Sequence, residues 1–499
     1  MATAPAPAAH TSETGQSFGT PGYRLYILVV LTLVYTVNFI DRNLLNVIGP
    51  QIIADFKLSD TEFGFLNGPP FAVFYALMGI PLAMAADRYN RVIIVALCVS
   101  VWSIMAATCG FASSFLFLLI ARIGVAVGEA GGTPPSNSII GDYFKPRSRA
   151  AALAIFAMGV TIGGALSNYF GGPIAQHLNG PAVQKIFQDL GWDWAVNMLD
   201  WSKVAGWRVA FVVIGAPGVI LALILLLTVR EPPRGYSDPA STARGQKANM
   251  IETLKELATK PTFWTVSIAA ALTALVGYGL TAFQAPMIVR LHGLTSAQFA
   301  WELGGPLSIV AALGTFAGGF IVERWTPKLH QAVAIVPAIG LLLAIPLDIF
   351  AWYQPTENLL TTTRLIWFGG VFFHYMYLGS QYTISQGVVS AKSRASAVAI
   401  LLLIIALLGN APGPLITGWL SDMFMSMELR GATGLTSELC RNAAEVAKLA
   451  PDQAATCNHA YAEGLRSSMV ATLLIFIPAA LFFFLSSLTL KKDLVAKPI

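Results

Sequence analysis

Apolar runs of roughly 20 residues recur along the whole chain, each long enough to cross a hydrocarbon core of ~30 Å. Twelve can be marked, over residues 26–49, 62–86, 92–112, 115–142, 150–176, 207–229, 262–289, 297–322, 329–351, 361–387, 395–421 and 466–489. Short polar segments with Gly, Pro, Asn and basic residues separate them. The pattern predicts an all-α membrane protein of twelve transmembrane helices, here called spans 1–12. Residues 1–22 lack an apolar core and read as a disordered tail, not a cleaved leader.

The pattern also repeats. Leu58-Ser-Asp-Thr-Glu-Phe63 matches Leu294-Thr-Ser-Ala-Gln-Phe299 at an offset of 236, as do Pro50 with Pro286 and Asp87-Arg88 with Glu323-Arg324. Ser148-Arg-Ala-Ala-Ala-Leu-Ala-Ile155 matches Ser393-Arg-Ala-Ser-Ala-Val-Ala-Ile400 at 245. Four matches in order imply two six-helix pseudo-repeats, over 23–229 and 261–490, joined by a linker at 230–260 and followed by a tail at 491–499. Duplicated halves in a membrane protein point to alternating access around a midplane site. Within the linker, Ile251-Glu-Thr-Leu-Lys-Glu-Leu257 reads as an amphipathic helix lying on the membrane surface. Ser59-x-x-Glu62 and Thr295-x-x-Gln298 are capping boxes opening spans 2 and 8. Helix initiation explains them fully, and no transport role is assigned to them.

Composition agrees with this picture. Of 499 residues, 55% are hydrophobic and 11% charged, with mean hydropathy +0.65; a soluble chain carries about a quarter charged residues. The net charge of +5 does not suggest nucleic acid, because the basic residues follow topology. With the N-terminus inside, 19 of the 31 Lys and Arg fall on cytoplasmic segments, 10 on outer segments, and Arg42 and Arg122 within spans. The positive-inside rule therefore predicts cytoplasmic termini, as for a multi-pass cell-membrane protein. Cys98 and Cys109 lie 11 residues apart on one span, about 16 Å by helical rise, too far to bridge. Cys440 and Cys457 share the outer segment between spans 11 and 12. They are either a disulfide on an oxidising face or two free thiols.

Four deep charges carry the candidate chemistry: Asp41 and Arg42 in span 1, Arg122 and Glu129 in span 4. Ionised groups inside a span are costly and mark a substrate or ion pathway by default. Helical rise puts Asp41 about 22 Å from the inner end of span 1 and Arg122 about 10 Å from the outer end of span 4, nearly level. Glu129 lies two turns further in, on roughly the face of Arg122. The expectation is one neutral network, with Asp41 close to Arg122 and with Arg42 and Glu129 completing the set. Asp41 or Glu129 would then carry a proton, since desolvation and a nearby Arg pull a carboxylate's pKa in opposite directions. The alternative is a static network that stiffens the first half. The second half lacks counterparts: the offsets put Gly277-Tyr278 opposite Asp41-Arg42, and His374 opposite Glu129. The expected second wall is apolar and aromatic, with Tyr278, Trp367, Phe373, His374 and Tyr377. His374 also reads as a packed neutral residue.

Twelve spans in two halves, with Ala83-Met-Ala-Ala-Asp87-Arg88-Tyr89-Asn90-Arg91-Val92 after span 2, Gly319-Phe-Ile-Val-Glu323-Arg324 after span 8 and Arg122-Ile-Gly-Val-Ala-Val-Gly128 in span 4, resemble the major facilitator superfamily over residues 24–490. The signature loop departs from the family pattern at both its glycines and its last basic residue. Asp87-Arg-Tyr-Asn-Arg91, Gly128-Glu-Ala130 and Asp41-Arg42 together resemble the Spinster branch, the proposed lysosphingolipid and lysophospholipid transporters. The resemblance implies proton-coupled movement of an amphipathic lipid. It also implies a cytoplasmic gate latch at Asp87, Arg88, Arg91, Glu323 and Arg324.

The expected function is thus a secondary transporter by alternating access, with protons as coupling ion and no other cofactor. Its partners would be a small amphipathic substrate and membrane lipid, and the expected state is a monomer. A multidrug or organic-anion transporter of the same fold is the alternative. No metal cluster, P-loop or nucleophile motif suggests an enzyme.

Overall fold

The computed structural model describes residues 18–237, 250–390 and 393–495. The expected tail at 1–22, the middle of the linker and the last four residues lie wholly or largely outside them. The described chain is helical, and no strand occurs in it. Eleven helices are long and apolar enough to cross a membrane: Pro21–Val47, Asp60–Arg88, Arg91–Cys109, Phe115–Tyr143, Pro146–His177, Gly206–Thr228, Pro261–His292, Ser296–Trp325, Ala332–Trp352, Ser396–Glu428 and Pro451–Asp493. They are spans 1–9, 11 and 12. Span 10 is broken into Arg364–Tyr375 and Leu378–Gly387. With twelve crossings, both ends of the chain share one face, the termini face; the other is called the far face.

Local chemistry sets the helix starts. Both capping boxes form: Ser59 accepts from the Glu62 amide while Glu62 reaches back, and Thr295 does the same with Gln298. Asn90 and Ser114 cap spans 3 and 4 through the amides of Ile93 and Phe117. Proline sets the bends. Single π-helical turns occur at Ser167–Gly171, Ala300–Gly304 and Ala406–Asn410, in spans 5, 8 and 11. Each is followed by one residue and then a proline: Pro173, Pro306 and Pro412. A proline cannot donate to the ladder, so one carbonyl is freed and the register slips. Span 2 bends at Gly68, just before Pro69-Pro70.

These bent spans bring the halves together at the far face. Span 2 lies on span 11 so closely that a Cβ at Gly64 would collide with the Pro414 carbonyl, and one at Gly418 with the Asp60 carbonyl. Spans 5 and 8 meet likewise, with Asn168 donating to Ser308 at 3.4 Å. Toward the termini face the packing does not continue. No extended packing joins Thr133–Tyr143 of span 4 to Leu378–Gly387 of span 10 among the described residues. The space between the halves, onto which the exposed Tyr278 gives, is thus closed by packing at the far face.

The linker is anchored at both ends. Its first residues hold the first half: Arg234 donates to the carbonyls of Ala86 and Tyr89, and Ser237 to that of Asp142. Its helix, Met250–Ala258, packs on the second half by burying Thr253 and Leu257. Glu256 accepts from the Ser390 amide at 2.6 Å and hydroxyl at 3.0 Å. The face expected to lie in the membrane surface is thus partly spent on protein contact. Cys440 and Cys457 are joined in a disulfide, Cα atoms 4.9 Å apart, which ties Ser437–Arg441 to the extended start of span 12. Cys98 and Cys109 are buried and free.

Candidate functional site

The four deep charges come together between spans 1 and 4, as one group in which Arg42 and Glu129 form the ion pair and Asp41 lies within electrostatic range of Arg122. Arg42 is bound to Glu129: its Nε donates to Oε2 at 2.9 Å and its Nη2 to the same oxygen at 2.5 Å. Asp41 is buried, and neither of its carboxylate oxygens accepts a close hydrogen bond, the Trp102 side chain being the donor beside it. Arg122 and Glu129 are its nearest charges, with Arg122 too far for an ion pair among the described residues. The helix explains the division. Adjacent residues point ~100° apart, so span 1 can aim only one of Asp41 and Arg42 at the cavity. Arg42 takes that direction, with its side chain 19% exposed. Asp41 faces inward toward Trp102 of span 3.

Three aromatic rings complete the setting, and sequence reasoning missed them. The Arg42 guanidinium stands 5.0, 4.9 and 5.1 Å from the ring centres of Phe39, Phe71 and Tyr75. The Arg122 guanidinium stands 5.2 Å from the ring centre of Phe71 as well. A cation over an aromatic face is attracted by the ring quadrupole. Phe71 and Tyr75 are one turn apart on span 2, directly after Pro69-Pro70, so an i, i+4 aromatic pair was the available signal. Span 4 is interrupted just past Glu129, between Phe115–Glu129 and Thr133–Tyr143. Thr133-Pro134-Pro135 accounts for the break, since two prolines in succession supply no amide donors. A recess beside the break is lined by Asn38, Trp102, Glu129, Thr133 and Ser136.

The second wall is narrower than expected. Tyr278 is 41% exposed and lies within electrostatic range of Arg42 and Tyr35 in the first half and of Tyr375, Tyr377 and Tyr382 in the second. Phe373 is half-buried. Trp367 is fully buried with its ring edge-on to Trp352, so it belongs to the core of the second half and not to the wall. His374 is buried between Tyr375, Tyr377 and Phe476, and Tyr377 is buried with it. Trp367, His374 and Tyr377 are thus packing residues in this arrangement, where a wall was expected of all three and packing as the alternative for His374 alone; large rings on a helix inside a bundle serve both uses, and the sequence does not separate them.

The five latch residues also divide. Asp87, Arg88, Glu323 and Arg324 are exposed at the termini face. Arg91 is not: it is 1% exposed and bonded to Glu231, Ser138, Asp142 and the Pro232 carbonyl at 2.6–2.8 Å. It ties spans 3, 4 and 6 together within the first half, because it opens span 3 and points back under the bundle.

A second charged cluster, which sequence reasoning missed, closes the far face. Arg290 of span 7 clasps Asp60 of span 2 through two bonds of 2.7 and 2.6 Å, and Ser421 adds a third at 2.6 Å. Tyr461 lies 3.7 Å under the guanidinium. Asp422 of span 11 accepts from the amides of Asp60 and Thr61 and from the Thr61 hydroxyl. Another overlooked acid, Asp348 of span 9, is buried against Gly370. Asp60 stood in a capping box and Arg290 and Asp348 near span ends, where charges are ordinary.

The Major Facilitator Superfamily profile matches residues 31–414. A solved structure described as a bacterial homolog to the human lysosomal transporter Spinster, in an inward-facing and unoccupied conformation, is 48% identical. It covers 96% of this chain and 100% of its own, with a TM-score of 0.89. An MFS-type efflux pump of Mycolicibacterium smegmatis is 30% identical over 79% of this chain and 83% of that protein. Protein spinster homolog 1 of Xenopus tropicalis is 24% identical over 84% of this chain and 79% of that protein.

Proposed function

The chain belongs to the major facilitator superfamily, and on that premise we propose that it is a proton-coupled secondary transporter of an amphipathic, lipid-like anion of the lysophospholipid or sphingolipid type. The observation that carries this reading is the Arg42–Glu129 ion pair, half-open to the cavity, beside the buried Asp41, which accepts no close hydrogen bond. A proton on Glu129 would dissolve the pair. Breaking a buried pair costs about 3–5 kcal/mol when the remaining charge finds no partner. A substrate phosphate at Arg42 would supply one, so proton loading and head-group binding are linked in one guanidinium. Phe39, Tyr75 and Tyr278 then offer surface for an acyl tail, with Phe71 buried behind them. Asp41 takes the proton in the other half of the cycle, when the network rearranges. The efflux pump among the relatives favours the second reading, a multidrug or organic-anion exporter, which would use the same Arg42.

We place the termini in the cytoplasm of a cell-membrane monomer, on the distribution of Lys and Arg. The cavity then faces inward, and Asp87 and Glu323 stand as parts of an open latch. The test is reconstituted uptake of lysolipid with and without a pH gradient. Glu129→Gln and Asp41→Asn should each abolish the pH-driven component, and at least one should retain exchange. If both keep wild-type pH dependence, the charges are structural and the proton reading is wrong. If pH-driven uptake occurs with organic anions but not with lysolipids, the second reading stands.

A further inference from the structure

Two long polypeptide excursions stand on the far face, and their surfaces differ. The one between spans 11 and 12 contains Ser437–Arg441 and Ala443–Val446. It folds Leu435, Leu439 and Leu449 onto the Cys440–Cys457 bridge and exposes Glu438, Glu445 and Lys448. That is the surface of a segment in water. The one between spans 5 and 6 contains the helix Gly180–Asp189 and the turn Asp193–Val196. It leaves Ile186, Leu190, Trp192, Trp194, Met198 and Leu199 exposed by 45, 55, 46, 70, 58 and 44%. Six large apolar side chains are exposed within 14 residues, interleaved with the exposed Gln188, Asp189, Asp193 and Asn197, with Trp192 stacked on Trp194; that is more exposed apolar surface than a water-facing loop carries without a partner.

This hairpin is internally folded and short-tethered. The Gly180 amide donates to the Val204 carbonyl at 2.9 Å, directly beside the ends of both spans. Trp201 is buried beneath, with its Nε1 shared between the carbonyls of Ala195 and Val196 at 3.1 Å. Gly180 and Gly206 each press against backbone, at Trp201 and Ala175, so the base cannot lift away. The patch is held at the level where the spans leave the bilayer. Spans 5 and 6, on which it stands, also carry exposed apolar side chains, among them Phe170 (56%) and Val213 (42%). Trp is the residue that favours this depth, with an apolar ring and one N–H for the head groups.

We infer that the segment between spans 5 and 6 is a membrane-surface element, its Leu190–Leu199 patch seated in the interfacial region of the far-face leaflet. The occupant of the patch is thus lipid, not a second copy and not a soluble partner. The patch acts as an outrigger for the first half and lies beside the spans that must part when the far face opens.

The test is spin labelling of the full chain in phospholipid nanodiscs. Nitroxides go on Leu190→Cys and Trp194→Cys, with Lys448→Cys as the water-side control and the unsubstituted chain as background for Cys98 and Cys109. Power saturation should give an oxygen-to-nickel-chelate accessibility ratio above one at 190 and 194, and below one at 448. Ratios below one at both 190 and 194 would overturn the inference in favour of a water-facing surface for a soluble partner. Dipolar broadening between labels at 194 would overturn it in favour of a second copy. Both substitutions are on exposed side chains, and retention of the Cys440–Cys457 bridge checks that the far face is folded.

Discussion

Replacing Asp60 with Asn should open the far face. In the closed arrangement Asp60 is 2% exposed and accepts two bonds from Arg290 and one from Ser421. Removing one partner of a buried, hydrogen-bonded pair costs about 3–5 kcal/mol, because the other charge is left buried. Here Tyr461 and Asp422 stay near Arg290 and recover part of it, which leaves about 2–3 kcal/mol. When the face opens, both groups meet water, so the penalty falls on the closed state alone. At 1.4 kcal/mol per factor of ten, the closed-to-open ratio should fall about 30- to 150-fold. Spin labels at Lys57→Cys and Glu428→Cys, exposed positions on opposite halves, report the change by double electron–electron resonance. The wild type should give one short-distance population and Asp60→Asn a second, longer one. Ser421→Ala, which removes a single bond, should shift the ratio about tenfold or less. The variant Asp60→Asn with Arg290→Gln should be less perturbed than Asp60→Asn alone, since no charge is stranded. Identical distance distributions in wild type and Asp60→Asn would refute the lock.

Arg91→Ala should lower the thermal midpoint of the detergent-solubilised protein by several degrees, through loss of four buried bonds, yet leave those far-face distances unchanged. A shifted distance distribution would show that Arg91 acts on gating after all. Gly64→Ala should disfavour closure of the far face, because the new methyl meets the Pro414 carbonyl; undisturbed distances and stability would mean the backbones have room to separate. Burial pushes Glu256 up, but the Ser390 amide, the Ser393 and Ser390 hydroxyls and Lys260 together hold it below the ordinary carboxylate range. Its hold on the linker helix is therefore present above the ordinary carboxylate pKa of ~4.3 and lost as pH falls through the lower folded value. Glu256→Gln should mimic that loss at neutral pH, and hydrogen exchange at residues 252–258 should accelerate; unchanged exchange would place the docking on Leu257 alone.

The architecture was legible because its signals are redundant. Span length, the repeat at 236 and both capping boxes each point to the same helices. Span 10 failed the regular pattern because its helix stops between Tyr375 and Leu378, which hydropathy alone does not register. The four deep charges were found because an ion in an apolar run stands out. Which of Asp41 and Arg42 faces the cavity was not, because helical rise fixes depth well and azimuth poorly, and the two side chains differ by about 100°. Asp60 and Arg290 were hidden for the opposite reason: near a span end a charge is unremarked, and only the packing of span 2 on span 11 buries it. The aromatic positions divide by packing as well. Trp367 and Tyr278 look alike in sequence, yet one is sealed behind Trp352 and the other faces the cavity.

The bends and the charges have different histories. Gly68 and Pro70 recur as Gly304 and Pro306 at the same offset of 236, and π turns ahead of a proline mark spans 5, 8 and 11 alike. Asp41, Arg42 and Glu129 recur as Gly277, Tyr278 and His374. The hinge residues thus stand in both copies, while the paired charges beside the cavity stand in one. A tandem of two first halves would inherit the mechanics of closure and place two sets of buried charge across one cavity. A tandem of two second halves would close on a cavity without an acid. The division of labour makes the ancestral order of the halves consequential: each copy is now the specialist the other lacks, and neither can stand in for its twin.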